Sequence, residues 1–291
     1  MHVTGFTFIK NAVKFDYPIV ESITSILPIC DEFVVAVGKS EDDTMALIYA
    51  IDSPKIRIIE TVWAEDIRED GRVLALETDK AFQAIGSNSD WCFYIQGDEV
   101  VHEKYLHTIK GSMQNYLNDT TVQGLLFKYK HFYGSYDYVA TASHWYKKEI
   151  RIVRNDKNIY SFRDAQGFRI GDDRIMHVKE IDAFIYHYGW VKPPGKMQDK
   201  QKSFQKLWHK DDELKKYISE GDEFDYSGID QLEKFTDSHP KVIQDRINKV
   251  NWSFTHDLSK NKIKLKDRLK NIFFNLFGLD FNYKNYKIIK D

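Results

Sequence analysis

Short apolar runs of strand length alternate with helical periodicity along the first hundred residues. Apolar runs rich in β-branched or aromatic residues predict buried strands, and four such runs occur over 3–9, 33–37, 55–60 and 91–95. Apolar positions spaced three and four residues apart predict helices over 18–27 and 71–85. Ser40 as an N-cap, followed by acidic residues in the first turn, predicts a helix over 41–51. Strands that are apolar on both faces and alternate with helices indicate a mainly parallel sheet covered by helices on both sides.

The second half of the chain is more aromatic and less regular. Segments typical of strands lie within 122–190, and helical spacing recurs over 104–117, 196–210 and 240–250. No internal repeat or low-complexity linker divides the sequence. These patterns predict one α/β domain over 1–255 with C-terminal helices, followed by a separate tail over 256–291.

The tail has its own charge pattern. Residues 259–291 contain nine Lys or Arg and three Asp, a net charge of +6. Five apolar residues of the tail fall on one helical stripe: Leu265, Leu269, Ile272, Leu276 and Leu279. A basic amphipathic helix over 260–280 either makes a peripheral contact with an anionic membrane surface or docks on the domain through its apolar face.

Composition and charge exclude several classes of protein. The chain has 42 Lys plus Arg and 44 Asp plus Glu, so it lacks the basic footprint of a duplex nucleic-acid binder. Its two cysteines, Cys30 and Cys92, stand in apolar segments and do not suggest a disulfide-stapled secreted scaffold. No apolar run reaches the ~18 residues of a membrane span, and the N-terminus lacks a signal-peptide layout. We therefore expect a reduced, cytoplasmic protein.

Two acidic residues, Asp98 and Glu99, stand just beyond the fourth predicted strand, after Gln96 and Gly97. Ligands of parallel α/β sheets bind outside the carboxyl ends of the strands, so this position suits a carboxylate that contacts a ligand. Mg²⁺ and Mn²⁺ prefer oxygen ligands, and Mg²⁺ is held by one or two carboxylates plus substrate phosphates. The pair therefore predicts a metal site or, because a helix follows, a helix N-cap by Asp98.

Two short motifs at strand ends resemble motifs of the family 2 glycosyltransferases: SEDDT over 40–44 and QGDE over 96–99. The resemblance spans residues 3–190 and is nearest to bacterial enzymes of cell-surface polysaccharide and lipopolysaccharide synthesis, whose metal motif reads Q-x-D-E. It implies a Rossmann-like A-type fold and an inverting transfer of a sugar from a nucleoside-diphosphate donor, with a UDP-sugar expected, to a glycan or glycolipid hydroxyl. It also implies Mn²⁺ or Mg²⁺ as cofactor.

The resemblance assigns roles to residues of both motifs. Asp98 takes the position of the metal-binding carboxylate, and Gln96 replaces the first acid of the family motif, where it can hydrogen-bond ribose but supplies no charge. Asp42 matches the acid of the family's S-T-D-G-T turn. Val37 and Gly38 stand where the family has an acid that contacts the nucleobase. The identity of the base is therefore left open.

Basic residues outside the motifs are also implicated by the resemblance. Arg72, on the helix before the QGDE strand, matches the arginine that reaches the nucleotide. Lys192 and Lys196 are expected to flank the diphosphate as point charges. The structural alternative for Arg72 is a solvated residue on a helix, and for Lys192 and Lys196 it is a position on a solvated loop.

A histidine and an aspartate complete the site that the resemblance implies. His187, in IYHYGWVKPPGK, resembles a late histidine beside the metal, and imidazole suits Mn²⁺ better than Mg²⁺; the alternative is a hydrogen-bonded core histidine. The family places an acid after its mid-domain strands as the general base that takes the acceptor proton. Asp164 in IYSFRDAQGFR stands at that stage, with Asp172 and Asp173 as substitutes. A turn or salt-bridge role is the alternative for Asp164.

Aromatic residues cluster between the predicted strands of the second half. They fit either a sugar-acceptor groove or ordinary core packing, and they include Tyr133, Tyr136, Tyr138, Trp145 and Tyr146.

Two other functions stay open on the sequence. A sugar nucleotidyltransferase also has metal-binding acids at the end of its sheet, but the segment FIKNAVKFDYP lacks the glycine-rich basic loop usual in such enzymes. A catalytically inactive glycan- or partner-binding module could keep the same fold. Phosphate-loop, dinucleotide, nucleophile-elbow and zinc motifs are absent from the sequence.

Overall fold

The computed structural model describes residues 1–64, 66–218, 221–262, 270, 276 and 284–290. Within these residues thirteen strands form one sheet. The strands are β1 Val3–Ile9, β2 Glu32–Gly38, β3 Ile56–Thr61, β4 Trp91–Tyr94, β5 Glu99–Val101, β6 Gly124–Tyr133, β7 Tyr138–Ala140, β8 Lys148–Arg154, β9 Ile159–Phe162, β10 Gly167–Ile170, β11 Arg174–Trp190, β12 Leu232–Lys234 and β13 Tyr286–Ile288.

Six α-helices are present in the described ranges: α1 Ile19–Ile26, α2 Thr44–Tyr49, α3 Arg72–Gln83, α4 Leu106–Asn115, α5 Pro194–Gln205 and α6 Gln244–Asn248. Single 3₁₀ turns occupy Leu27–Ile29, Glu103–Tyr105, Leu214–Lys216, Tyr226–Gly228, Lys241–Ile243 and Leu258–Lys260.

The sheet has the order β3-β2-β1-β4-β8-β6-β11-β10-β9. Strands β1 to β4 are all parallel, so their carboxyl ends meet at one edge. Beyond β4 the sheet is mixed, because β8 runs antiparallel to β4 and β6 while β6 and β11 are parallel. The predicted α/β class, with helices beside a central sheet whose core strands β1 to β4 are parallel, is confirmed.

Helices cover both faces of the parallel half of the sheet. On one face Ile19, Ile23 and Ile26 of α1 are buried in a core cluster with the sheet, because their spacing puts them on one side of the helix. On the other face Phe82 of α3 packs 5.4 Å from Phe6 of β1, measured between ring centroids. Packing on both faces fixes the parallel strands, and the candidate site lies at the edge where their carboxyl ends meet.

The C-terminal part of the chain differs from its sequence-based expectation. Strand β13, which the sequence did not predict, pairs in parallel with β11 through Tyr286 and Met176. The predicted amphipathic helix falls mostly outside the described residues; Leu276 alone of the five stripe residues is described, and its side chain is exposed. The proposed boundary between residues 255 and 256 stays a prediction. No helix in the described part of the chain is both long and apolar enough to cross a membrane.

Candidate active site

A cleft of about 790 Å³ opens at the carboxyl ends of β1 and β4. Its walls are the segment after β1, the loop between β4 and β5, the end of β11 and the second half of α5. Four of the predicted site residues line it together: Gln96, Asp98, Asp164 and His187. The cleft therefore lies where the strand–helix alternation predicted a ligand site.

Asp98 is held in a strongly positive environment. Its Oδ2 lies 3.2 Å from Lys200 Nζ and its Oδ1 lies 3.7 Å from His187 Nε2. Its backbone carbonyl accepts a hydrogen bond from Tyr188 N of β11, which fixes the loop to that strand. Burial works to raise the pKa of Asp98, but the positive charges of Lys200 and Lys192 outweigh it and lower that pKa to about 2. Asp98 is an ionised carboxylate at neutral pH.

His187 and His131 lie opposite each other in the pairing of β11 with β6, and their Nδ1 atoms are 3.0 Å apart. His131 Nε2 lies 2.7 Å from the carbonyl oxygen of Tyr146, which can only accept, so this nitrogen carries the proton. Burial lowers the pKa of both histidines, which are therefore neutral. His131 Nδ1 then accepts the hydrogen bond that His187 Nδ1 donates. This chain leaves the lone pair of His187 Nε2 facing Asp98.

The space between Asp98 and His187 fits a cation. Two acceptor atoms 3.7 Å apart do not hydrogen-bond, but a shared metal ion can bind both. A Cβ atom built on Gly189 would lie 2.6 Å from His187 Nε2 and 2.7 Å from Asp98 Oδ2, so the glycine keeps this space open. No group of three or more His, Cys, Asp or Glu side chains placed for a metal occurs among the described residues. Two protein ligands suffice for Mg²⁺ or Mn²⁺ when substrate oxygens and water complete the shell.

Glu99, the second acid of the motif, lies in the core rather than on the cleft. Its two oxygens each accept a 2.8 Å hydrogen bond from Arg151, through Nε and Nη2, and neither side chain is exposed. Tyr129 donates its hydroxyl to Glu99 Oε1 at 2.7 Å, and Gln96 N donates to Oε2 at 3.1 Å. Glu99 therefore braces the backbone of the loop that presents Asp98.

Asp164 stands on a tight turn between β9 and β10. The residues on either side of it, Arg163 and Ala165, have φ angles of 56° and 64°, a left-handed conformation that costs a non-glycine residue about 1 kcal/mol or more. Gln96 Nε2 donates to the Ala165 carbonyl at 3.0 Å, and Arg151 Nη1 donates to the Gln166 carbonyl at 2.8 Å. Burial raises the pKa of Asp164, which suits a residue that must take up a proton.

Three predicted site residues lie away from the walls of the cleft. Asp42 lines a separate cavity of about 420 Å³ at the ends of β2 and β3, and its side chain accepts from the backbone nitrogens of Lys14 at 2.6 Å and Thr44 at 3.0 Å. Arg72 is exposed at the start of α3; it is Arg68, four residues earlier, that lines the cleft. The expected direct contacts of Asp42 and Arg72 with the nucleotide therefore do not follow from their positions.

Lys192 is the third of these residues. Its side chain is fully buried, and its Nζ donates to the carbonyl of Asp16 at 2.6 Å and lies 4.5 Å from the centroid of the Tyr17 ring. Lys196 donates in the same way to the carbonyl of Lys14 at 3.0 Å. Both lysines therefore hold the loop after β1, and Lys192 contributes positive charge to Asp98 from behind the cleft wall.

The remaining candidates from the sequence are the two alternative general bases and the clustered aromatic residues. Asp172 and Asp173 lie on an exposed turn and do not belong to the lining of the cleft. Among the clustered aromatic residues, Tyr146 lines the cleft, whereas Tyr133 and Tyr136 are buried in core clusters. Core packing thus accounts for most of the cluster.

The sequence did not indicate Lys200. It lies in the lysine-rich segment KMQDKQK, where nothing distinguishes one lysine from the next. Only the docking of α5 beside β11 puts its Nζ within 3.2 Å of Asp98 and 3.0 Å of the Gly189 carbonyl.

Comparisons with known proteins give distant similarities. No protein-family model matches the chain, and no curated protein matches it. A crystal structure of S. aureus TarS 1-349 is 12% identical over 70% of this chain and 64% of its own, with a TM-score of 0.38. Glucosyl-3-phosphoglycerate synthase from Mycobacterium tuberculosis, crystallised with Mn²⁺, UDP and phosphoglyceric acid, is 20% identical over 45% of this chain and 43% of its own, with a TM-score of 0.30.

A third solved structure, 4-diphosphocytidyl-2C-methyl-D-erythritol synthase from Anaerococcus prevotii, is 12% identical over 53% of this chain and 70% of its own, with a TM-score of 0.33. The chain spans less than two thirds of the TarS structure and less than half of the synthase from Mycobacterium tuberculosis.

Proposed function

We propose that this protein is an inverting glycosyltransferase that moves a sugar from a nucleoside-diphosphate donor, a UDP-sugar in the first instance, to a hydroxyl of a glycan or glycolipid. The observation that carries the proposal is the geometry of one cleft. It presents an ionised Asp98, a His187 Nε2 lone pair 3.7 Å from Asp98 Oδ1 and, on the lining of the same cleft, the half-buried carboxyl of Asp164.

Each of these groups has a place in such a transfer. Asp98 and His187 would hold Mn²⁺ or Mg²⁺, whose charge neutralises the diphosphate leaving group. Asp164 accepts the proton of the acceptor hydroxyl as the hydroxyl oxygen bonds to the anomeric carbon and the bond from that carbon to the diphosphate breaks. The proton ends on the Asp164 carboxylate, and the electron pair leaves with the nucleoside diphosphate.

The expected surroundings belong to the same proposal. A protein that acts on glycolipids at the cytoplasmic face of a membrane would use the basic segment 260–280 for peripheral contact. The acceptor would approach past Tyr146 and Trp190, two of the aromatic side chains that line the cleft, since flat rings pack well on sugar C–H faces.

A thermal-shift panel of nucleoside diphosphates and their sugars, with and without Mn²⁺, tests the proposal. A ligand at a hundred times its Kd stabilises a protein by about 2.7 kcal/mol, which such a panel detects. We expect UDP or a UDP-sugar to stabilise the wild-type protein more with Mn²⁺ than without, and Asp98→Asn to lose the metal-dependent part. Asp173→Asn, the same substitution on an exposed turn, is the matched control.

The rival functions give different results in the same samples. Release of inorganic pyrophosphate from a nucleoside triphosphate would replace the proposal with nucleotidyl transfer. Stabilisation by a glycan without any nucleoside diphosphate would indicate a binding module. Hydrolysis or transfer of the donor sugar supports the proposed reaction.

A further inference from the structure

The carboxylate of Asp98 already has a cationic partner from within the chain. Lys200 Nζ lies 3.2 Å from Asp98 Oδ2, donates to the Gly189 carbonyl at 3.0 Å and sits 5.0 Å from the centroid of the Tyr17 ring. The Lys200 side chain is only 12% exposed. Three contacts and this burial distinguish it from a solvated surface lysine.

A divalent cation and this ammonium group would compete for one carboxylate. His187 Nε2 faces Oδ1 of Asp98, while the Lys200 ammonium group contacts Oδ2. A metal ion bound at Oδ1 would therefore share one carboxylate with the positive charge of Lys200. Like charges at such separations repel strongly in a site with little water. Lys192, 4.5 Å from the same Tyr17 ring, adds further positive charge behind them.

The Lys200 side chain can also adopt a second position, inside the cleft. It belongs to α5, which forms a wall of the cleft, and it lines the cleft itself. A long, flexible side chain can turn from Asp98 into the cleft without any movement of the backbone. There a diphosphate would offer it a new anionic partner, while a metal takes over the carboxylate.

We propose that Lys200 is an internal counter-ion of Asp98 that competes with a divalent cation for this carboxylate and is released toward the diphosphate when the cation binds. The inference rests on the proposed function only in assigning a cation to Asp98. It predicts that the protein without nucleotide binds Mn²⁺ weakly, because Lys200 must first be displaced.

Titration of Mn²⁺ alone into the full chain, followed by the electron paramagnetic resonance signal of free Mn²⁺, measures the competition without any enzymatic assay. We expect Lys200→Met, which keeps the length of the side chain but not its charge, to tighten Mn²⁺ binding by about tenfold or more, equivalent to ~1.4 kcal/mol. Lys200→Arg retains the charge and should bind Mn²⁺ as weakly as the wild-type protein. Lys202→Met is the matched control, because Lys202 lies on the same helix and donates to the Gly221 carbonyl instead.

The outcomes separate clearly. Tighter binding in Lys200→Met alone, abolished again by adding Asp98→Asn, supports the competition. Unchanged or weaker Mn²⁺ binding in a Lys200→Met protein with native circular dichroism overturns it, as does the absence of Mn²⁺ binding in every variant. In that last case stabilisation by UDP without metal would still support the transferase, so the two proposals fail separately. If Lys200→Met does not fold, Lys200→Gln replaces it in the same titration.

Discussion

The buried pair of Glu99 and Arg151 should dominate the response of this protein to mutation. Both side chains are fully buried and joined by two hydrogen bonds of 2.8 Å. Arg151→Met leaves the Glu99 carboxylate buried without its counter-ion, a change that typically costs 3–5 kcal/mol. Since whole domains are stable by about 5–15 kcal/mol, we expect a large fall in the urea midpoint.

The double variant Glu99→Gln/Arg151→Met separates the cost of an unpaired charge from the worth of the pair. Replacing both members of a buried ion pair by neutral groups is often close to neutral. We therefore expect the double variant to regain more than half of the stability that Arg151→Met loses, measured as the free energy of unfolding in urea at constant pH. Equal instability of the double and single variants would show that the pair itself, rather than the stranded charge, holds the fold.

The double variant should not regain enzymatic activity even though it regains stability. Arg151 also donates to the Gln166 carbonyl at 2.8 Å, which links the motif loop to the turn of Asp164. Without this bond Asp164 loses part of its support, and a displacement of about 1 Å at a reacting group can cost about 10²-fold in rate. We expect kcat to fall in the double variant. A double variant with wild-type kcat would refute a positioning role for Arg151.

Three further substitutions probe single groups. Burial raises the pKa of Glu149 from 4.5 to about 8, so the folded protein keeps a proton that the unfolded chain loses. Its stability should therefore fall by about 1.4 kcal/mol per pH unit from this group between pH 4.5 and 8. Glu149→Gln should remove that slope in urea titrations at pH 5 to 8, and a parallel slope in both proteins would count against it. His131→Phe removes the acceptor that fixes the His187 tautomer and should weaken Mn²⁺ binding by about 10–100-fold; unchanged binding by calorimetry would contradict this. Asp164→Asn should lower kcat by about 10²–10⁴-fold with donor affinity intact, whereas a loss of donor affinity would remove Asp164 from the base role.

The parallel half of the fold could be predicted closely from the sequence. The observed β1, β2 and β4 begin and end within one residue of the predicted apolar runs. Strands buried on both faces carry an almost continuous apolar signal, and the burial of β2 and β4 confirms it.

The strands of the mixed half of the sheet, beyond β4, were harder to predict from the sequence. Strand β11 is 17 residues long, and the first part of it, RIMHVKEID, mixes exposed, half-buried and buried positions without regular alternation and contains many polar residues. Strand β13 is three residues long, and it pairs with β11 at Met176–Val178, more than a hundred residues earlier. Neither property leaves a local pattern.

The candidate site was partly predictable because its residues follow strand ends. Gln96 and Asp98 follow the end of β4 and line the cleft, as the carboxyl-end rule predicts. They meet there His187 of β11 and Asp164 of the turn between β9 and β10. The resemblance placed Arg72 at the nucleotide, but Arg72 is exposed at the start of α3, whereas Arg68, in the loop before that helix, lines the cleft. Which face of a helix end meets a ligand depends on tertiary packing.

Asp98 and Glu99 show most clearly why a motif alone does not settle chemistry. Adjacent residues at a strand end point to opposite sides, so one carboxylate enters the cleft and the other enters the core. What each then does depends on its cation, because a carboxylate in a site poor in water needs one. Arg151 of β8 saturates Glu99 with fixed hydrogen bonds, whereas Lys200 meets Asp98 through one contact of 3.2 Å on a flexible side chain. The Glu99 carboxylate therefore has a structural role, and the Asp98 carboxylate is left available for exchange of Lys200 with another cation.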